Sequence, residues 1–336
     1  MNWPGRLACS QLPGLYRLWA SYLRNAPVRA SGGVLGGSVF FEMLTLWGRL
    51  RNGRTQNFLT LWDAAIPYGL TVDLLDFESF NHTIDLWLLG CDESRLIQAL
   101  FSPGKVFIDV GANLGVFSLL AACSAGITSE VHAFEPQPRA AAALRESIRV
   151  NGLRNLFVHE AIVSDANADS VRFFVPRGGS GVGSLSEEHA SQTGRPQKIT
   201  CDSTSLDSFF SSAPLRTVDL IKIDVEGYES LVLAGAARTL RQFLPIVWFE
   251  VNPSALRRAA IPQSHVFELM ERYGYADFYD VGALMNGDAR RVTPQFERLV
   301  NVIAIAPVRR EWLQSSLRAH VSSRAPTAPI SEDLLN

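Results

Sequence analysis

The sequence predicts an α/β fold built on a doubly wound, mostly parallel sheet, and three observations carry that prediction. Strand-like and helix-like segments alternate from about residue 100 to residue 305, the order that generates β-α-β units. The strand-like runs at 106–110 (VFIDV), 218–224 (VDLIKID) and 246–251 (IVWFEV) are nearly continuous in apolar residues, as expected for parallel strands covered on both faces. Turn and cap residues fall at the junctions: Pro103-Gly104, Gly126, Pro138 and Asn151-Gly152.

Residues 1–65 have mixed composition and form an N-terminal extension with no nameable chemistry. The start, MNWPGRLACSQLPG, lacks the long apolar core of a signal peptide. Residues 33–50 are largely apolar but contain Glu42. A spanning helix needs about 20 apolar residues without a central acid, so a packed or interfacial helix is favoured over a membrane span. Residues 71–77 read as a strand and 81–100 as a helix, with Ile84, Leu88, Ile97 and Leu100 at its apolar positions.

The sheet proper begins with the strand at 106–110, followed by a helix at 114–125 and a strand at 130–135. A helix starts at Pro138 with Ala141, Leu144 and Ile148 on one face, and 156–163 reads as the third strand. An insertion at 170–210 follows, holding a β-like run at 171–175, a Gly/Ser-rich stretch (GGSGVGSLSEE) and a second run at 198–201. It is too long for a simple connection and reads either as a functional lid or as a hairpin ornament. The fourth strand, 218–224, leads to a helix at 228–243 and the fifth strand at 246–251. A helix at 266–273 and two late strands at 275–281 and 299–305 complete the pattern, and 308–336 reads as a weakly ordered C-terminal tail.

With 336 residues, 47% hydrophobic and 19% charged, the chain can bury a sizeable core. Lys+Arg 31 against Asp+Glu 33 leaves a charge of −2, which gives no electrostatic reason to expect a nucleic-acid partner. Cys9, Cys91, Cys123 and Cys201 are far apart and form no CxxC pair. That opposes a zinc site or a disulfide framework and suits a cytoplasmic protein, with membrane-peripheral contact through 33–50 as the lesser alternative. Trp248, Phe249 and Phe80 read as core rather than as a sugar platform.

The candidate site follows the first sheet strand, in Asp109-Val110-Gly111-Ala112-Asn113-Leu114-Gly115. In a doubly wound sheet a ligand binds at the carboxyl ends of the strands where their order reverses. Gly111 and Gly115 permit close backbone approach, and Asn113 suits a left-handed conformation. A dinucleotide pyrophosphate calls for G-x-G-x-x-G and an uncharged loop. Here the pattern is G-x-x-x-G with Asp109 beside it, which favours a cationic ligand such as a sulfonium amino acid. Glu135 ends the second sheet strand about 20 residues after the last glycine, the position from which an acid accepts both ribose hydroxyls.

These residues resemble the FkbM-type methyltransferases. The resemblance runs through DVGANLGVFS (109–118), VHAFEPQP (131–138), EAIVSD around Ala161 and Ser164, Thr204-x-x-Asp207, IKIDVEGYESLVLAGA (221–236) and PIVWFEVNP (245–253). It implies a Rossmann-like, seven-stranded sheet with an antiparallel last strand, set in a domain at 66–307. It further implies S-adenosyl-L-methionine as methyl donor and O-methylation of a sugar, glycan or secondary metabolite. Asp109, Gly111, Ala112, Asn113 and Gly115 would then shape the methionine pocket, Glu135 would hold the ribose, and Ala161 would border adenine. The Asp that many methyltransferases place beside the adenine amino group is missing here unless Asp165 reaches it.

Asp224 and Glu226 follow the fourth strand and Glu250 and Asn252 end the fifth, so three readings of this acid cluster stay open. Asp224, Glu226 or Glu250 acts on the acceptor, with Asp224 or Glu226 as general base; or Asp224, Glu250 and Asn252 hold Mg²⁺; or Glu226 merely caps the next helix. Lys222 reads as a sideways partner for an acid. Two other classes share the fold, an NAD-dependent oxidoreductase and a non-catalytic binding protein that keeps the nucleotide pocket. Asp109 and the missing glycine oppose the first, and the paired acids after both strands oppose the second.

Overall fold

The computed structural model describes residues 58–61, 66–76, 79–80, 83–84, 86–87, 90–176, 183–191, 195–212 and 217–322. The apolar stretch 33–50, Leu88 and the chain beyond 322 lie outside the described residues. The strands are β1 (Phe58–Leu61), β2 (Leu70–Asp73), β3 (Val106–Val110), β4 (Glu130–Phe134), β5 (Leu156–His159), β6 (Ile162–Val163), β7 (Ala168–Pro176), β8 (Pro196–Thr204), β9 (Leu220–Ile223), β10 (Ile246–Val251), β11 (Asp277–Asp280) and β12 (Val300–Ile305). Seven of them form one sheet in the order β11-β12-β10-β9-β3-β4-β5. The pairs β10-β9, β9-β3, β3-β4 and β4-β5 are parallel, whereas β12 runs antiparallel to both its neighbours. This is the expected Rossmann-like sheet with its antiparallel last strand.

Alternation along each strand divides the core in two. Ile246 and Trp248 of β10 face one cluster with Phe107, Leu220 and Ile303. Val247, Phe249 and Val251 face the other with Ile108, Ile221, Ile223 and Val302. Both faces of the sheet are therefore covered, and the near-continuous apolar runs follow from that. Trp248, Phe249 and Phe80 are all buried, as core residues. The chain leaves β3 for β4 and β5 on one side and returns to β9 and β10 on the other, so the order reverses between β3 and β9. A ligand site is expected at the carboxyl ends of those two strands.

The structure departs from the sequence expectations in five places. The strand expected at 156–163 is two: the chain turns after His159, where the Ala161 amide donates to the His159 carbonyl (3.0 Å), and β6 joins β8 in a separate three-stranded sheet with β7. The helix expected at 228–243 is also two, Glu229–Ala234 and Ala237–Phe243. At Gly235 between them a β-carbon would collide with the Ser164 carbonyl, and Asp207 caps the second helix by accepting from the Arg238 and Thr239 amides at 2.9 and 2.8 Å. Before the sheet, a new helix starts at Asp92 after Gly90, at φ 64°, with Cys91 as its cap, so 81–100 is not one helix.

The other two departures concern the ends. β1 falls inside the expected extension at 1–65, yet it pairs with β2, which the long helix Pro138–Asn151 anchors through Ser147 and Asn151. The expected tail at 308–336 is corrected over Arg310–Ser322, a helix packed on Asp92–Leu100 with Leu313 and Leu317 buried. Arg310 and Arg291 both pair with the fully buried Asp277, which ties this helix to β11. Among the described residues no helix is long and apolar enough to cross a membrane.

Candidate active site

The loop after β3 is held in place by its backbone. The Gly111 and Ala112 amides both donate to the Phe134 carbonyl at 3.0 Å, and Gly111, Asn113 and Gly115 adopt positive φ of 77, 50 and 78°. The two glycines are required by the protein itself. A β-carbon on Gly111 would collide with the Asp224 carbonyl oxygen, and one on Gly115 with the Leu144 side chain. Their neighbours are thus the loop after β9 and the helix Pro138–Asn151, in addition to any ligand.

Glu135 stands where β4 ends, buried at the wall of a cavity of about 340 Å³. Its Oε2 accepts from the Asn113 amide at 2.8 Å and its Oε1 from the Gln137 amide at 2.9 Å. Burial pushes its pKa up to about 7 despite these two bonds, which favour the ionised form. A carboxylate has about four acceptor positions, so lone pairs remain for a diol. Glutamine cannot replace it, because its NH₂ group would face a backbone N–H. Glu135→Gln should therefore weaken S-adenosylhomocysteine binding by about 10-fold or more; unchanged affinity by calorimetry would remove Glu135 from the ribose role.

Asp109 lies elsewhere than the loop composition suggests. It is fully buried and does not line the cavity. Its Oδ2 accepts from the Ser118 hydroxyl at 2.6 Å, and its Oδ1 is 3.4 Å from the Lys222 ammonium. The expectation that its charge meets the ligand is corrected: the pleat points this carboxylate into the protein, where a cation from the next strand compensates it. Lys222 also pairs with Asp224 at 3.2 Å and donates to the Gly111 carbonyl at 3.3 Å. Its ammonium sits 5.6 Å from the ring centres of both Phe117 and Trp248. Burial alone would lower the lysine pKa, but Asp224 and Asp109 reverse this and the net shift is upward.

The acid cluster now separates into roles. Asp224, Glu226 and Glu250 all line the cavity. Ile223 pairs in register with Phe249, which sets Asp224 level with Glu250 on the neighbouring strand. Glu226 holds a left-handed backbone (φ 57°), a cost of the kind that collects at functional sites. It does not start the helix. Glu229 performs that local task, accepting from the Val225 and Gly227 amides at 3.3 and 3.1 Å, with burial raising its pKa to about 7. Sequence reasoning missed Glu229; the signal was an acid two residues beyond Gly227.

Glu250 is buried, and its Oε1 has no hydrogen-bond partner among the described residues. Burial and the neighbouring Asp224, Glu226 and Glu229 push its pKa up to about 10. Asn252 is turned away, its side chain accepting from the Ala255 amide at 3.1 Å as the cap of Pro253–Arg258. The residues do not fit the Mg²⁺ set: among the described residues no three acids, histidines or cysteines are grouped to hold a metal.

The rest of the cavity is apolar on the side of β6. Ala161, Ile162 and Val163 line it, faced by Phe173, Gly183 and Leu185 of the insertion, which thus forms a wall of the site. Asp165 is exposed, outside the lining, and takes the Ser164 hydroxyl. Ser79, Thr83, Leu86, Tyr228 and Leu299 line the cavity as well. Charged residues in the described lining are Glu135, Asp224, Glu226, Glu250 and Lys222. Even with the Glu250 carboxyl protonated, Glu135, Asp224 and Glu226 stand against one cation in the described lining, Lys222, which suits the ammonium and sulfonium of S-adenosylmethionine better than a pyrophosphate.

Residues 109–276 match the model of the methyltransferase FkbM domain, which spans half of the chain. The 2-O-methyltransferase NoeI of Sinorhizobium fredii (strain NBRC 101917 / NGR234) is 28% identical over 191 residues, covering 53% of this chain and 76% of that protein. Among solved structures, methyltransferase FkbM from Methylobacillus flagellatus is 15% identical with a TM-score of 0.37, covering 69% of this chain and 55% of that one. A SAM dependent methyltransferase from Aquifex aeolicus is 14% identical with a TM-score of 0.36, covering 64% and 88%. With the family match running from Asp109 through both strands that carry the acids, the chain belongs to the FkbM family and is an S-adenosylmethionine-dependent methyltransferase.

Proposed function

We propose that this methyltransferase O-methylates a hydroxyl of a sugar, glycan or secondary metabolite, with Asp224 as the proton acceptor. The observation that carries this reading is the position of Asp224. It follows β9 at the reversal point, lines the same cavity as Glu135, and is held by Lys222 at 3.2 Å. S-adenosylmethionine supplies a sulfonium-bound methyl group, which leaves a neutral thioether behind. The chain's own part is to hold donor and acceptor together and to take one proton, and positioning alone can account for much of the rate. The acceptor oxygen forms its bond to the methyl carbon while its O–H proton passes to the Asp224 carboxylate. The Lys222 contact orients that carboxylate. Glu226 is the second acid placed to act on the acceptor.

The relative named a 2-O-methyltransferase supports oxygen as the methylated atom. The free thiols of Cys91, Cys123 and Cys201 support a cytoplasmic setting. The test is mass spectrometry of glycans and small metabolites from cells with and without the gene. Loss of one CH₂ from a hydroxyl-bearing compound is the expected result, restored by the wild-type protein and not by Asp224→Asn. A compound methylated on nitrogen or carbon instead would overturn the O-methylation reading.

A further inference from the structure

We propose that Glu250 is a hydrogen-bond donor to the acceptor, gripping an oxygen adjacent to the hydroxyl that is methylated; this rests on the O-methylation reading. The geometry supplies the steps. Asp224, the residue after β9, lies next to the Ile223–Phe249 register pair that precedes Glu250 on β10, neighbouring parallel strands being roughly 4.8 Å apart, and both acids line the cavity. Asp224 has a cation, and Glu250 has none of its own among the described residues. Lys222 already serves Asp109, Asp224 and the Gly111 carbonyl. The groups that act electrostatically on Glu250 are the acids Asp224, Glu226 and Glu229 against Lys222 alone.

A carboxyl in that setting keeps its proton, and a protonated carboxyl offers one O–H in place of a second negative charge. Glu250 lines the cavity and its sealed Oε1 has no hydrogen-bond partner among the described residues, so no described protein group competes with the acceptor for the carboxyl proton. The pair therefore presents one acceptor, Asp224, and one donor, Glu250, at neighbouring positions. Two adjacent oxygens of a neutral polyol match this arrangement, one losing its proton to Asp224 and the other accepting the O–H of Glu250. An acceptor with a carboxylate or phosphate beside the reacting hydroxyl would meet Asp224 and Glu226 and be repelled. The acceptor class is thus a neutral vicinal diol or alkoxy-alcohol.

Two measurements test this. In NMR of protein carrying ¹³C at the glutamate carboxyls, with S-adenosylhomocysteine bound, one resonance should remain protonated between about pH 6 and 8. It should disappear in Glu250→Gln, while Glu135 and Glu229 titrate across the range; a Glu250 carboxyl that is ionised there overturns the proposal. Turnover is then measured on neutral methyl glycosides of glucose, galactose and mannose. Glu250→Gln, which retains an N–H donor, should keep kcat/KM within about fivefold, whereas Glu250→Leu should lose about 100-fold. Both variants should bind S-adenosylhomocysteine within about threefold of wild type. Equal turnover losses in the two variants, or lost cofactor binding in both, would mark Glu250 as structural and overturn the donor role. A wild-type enzyme that methylates none of the glycosides counts against a sugar acceptor, and the NMR result then decides on Glu250 independently.

Discussion

Replacing Asp224 with asparagine should lower methyl transfer by about 10²–10⁴-fold, the usual contribution of a positioned general base. S-adenosylhomocysteine should bind the variant within about threefold of the wild type. The change is conservative in shape: asparagine keeps an oxygen toward Lys222, 3.2 Å away in the native protein, and the Asp224 backbone amide still donates to the Val110 carbonyl at 3.1 Å. What it removes is the charge that takes the proton. Single-turnover kinetics with calorimetry of the same samples separates the two quantities. A variant with wild-type chemistry would transfer the base role to Glu226, the other acid on that loop that lines the cavity.

Lys222→Met should destabilise the fold by about 3–5 kcal/mol, the cost of breaking a buried pair from one side. The Lys222 side chain is 3% exposed and that of Asp109 1%. Removal of the ammonium therefore leaves Asp109 charged and buried, with the Ser118 hydroxyl as its remaining hydrogen-bond donor among the described contacts. Methionine keeps an apolar chain beside the packed Phe117 and Trp248 rings, so packing is largely kept. Urea unfolding of the single variants and of Lys222→Met/Asp109→Asn forms a double-mutant cycle. The double variant should recover much of the loss, because the stranded charge is gone. A single-variant loss below about 1 kcal/mol would equate the pair with a solvent-exposed one.

Much of this site was legible in the sequence because its signals are local. Glu135 could be read as a ligand-facing acid from its place at a strand end after the glycine loop, and Asp224 and Glu250 from their places after β9 and β10. Asp109 was misread because the decisive partner, Lys222, is 113 positions away in the chain and on another strand. Asn252 looked like a metal ligand until the following helix claimed its side chain. The break at Gly235 and the early end of β5 share a cause: the insertion's small sheet needs Ser164 against Gly235, a contact no local pattern announces. The helix at Arg310–Ser322 was taken for tail because its polar face dominates the composition. Its order comes from Leu313 and Leu317 meeting another helix and from Arg310 meeting Asp277. Lining residues such as Ser79, Thr83 and Leu299 carried no signal, since hydroxyl and aliphatic side chains are everywhere in such a chain.

The contact between Gly111 and the Asp224 carbonyl has a practical meaning for redesign. The glycine loop after β3 and the loop that carries Asp224 touch backbone to backbone, with no room for a single added carbon. They behave as one part. Enlarging the pocket there to admit donors with bulkier transferable groups would shift the acid by the same movement, trading donor scope for rate. Variation in the wall made by Ala161, Phe173, Gly183 and Leu185 is expected to leave the contact between Gly111 and Asp224 in place.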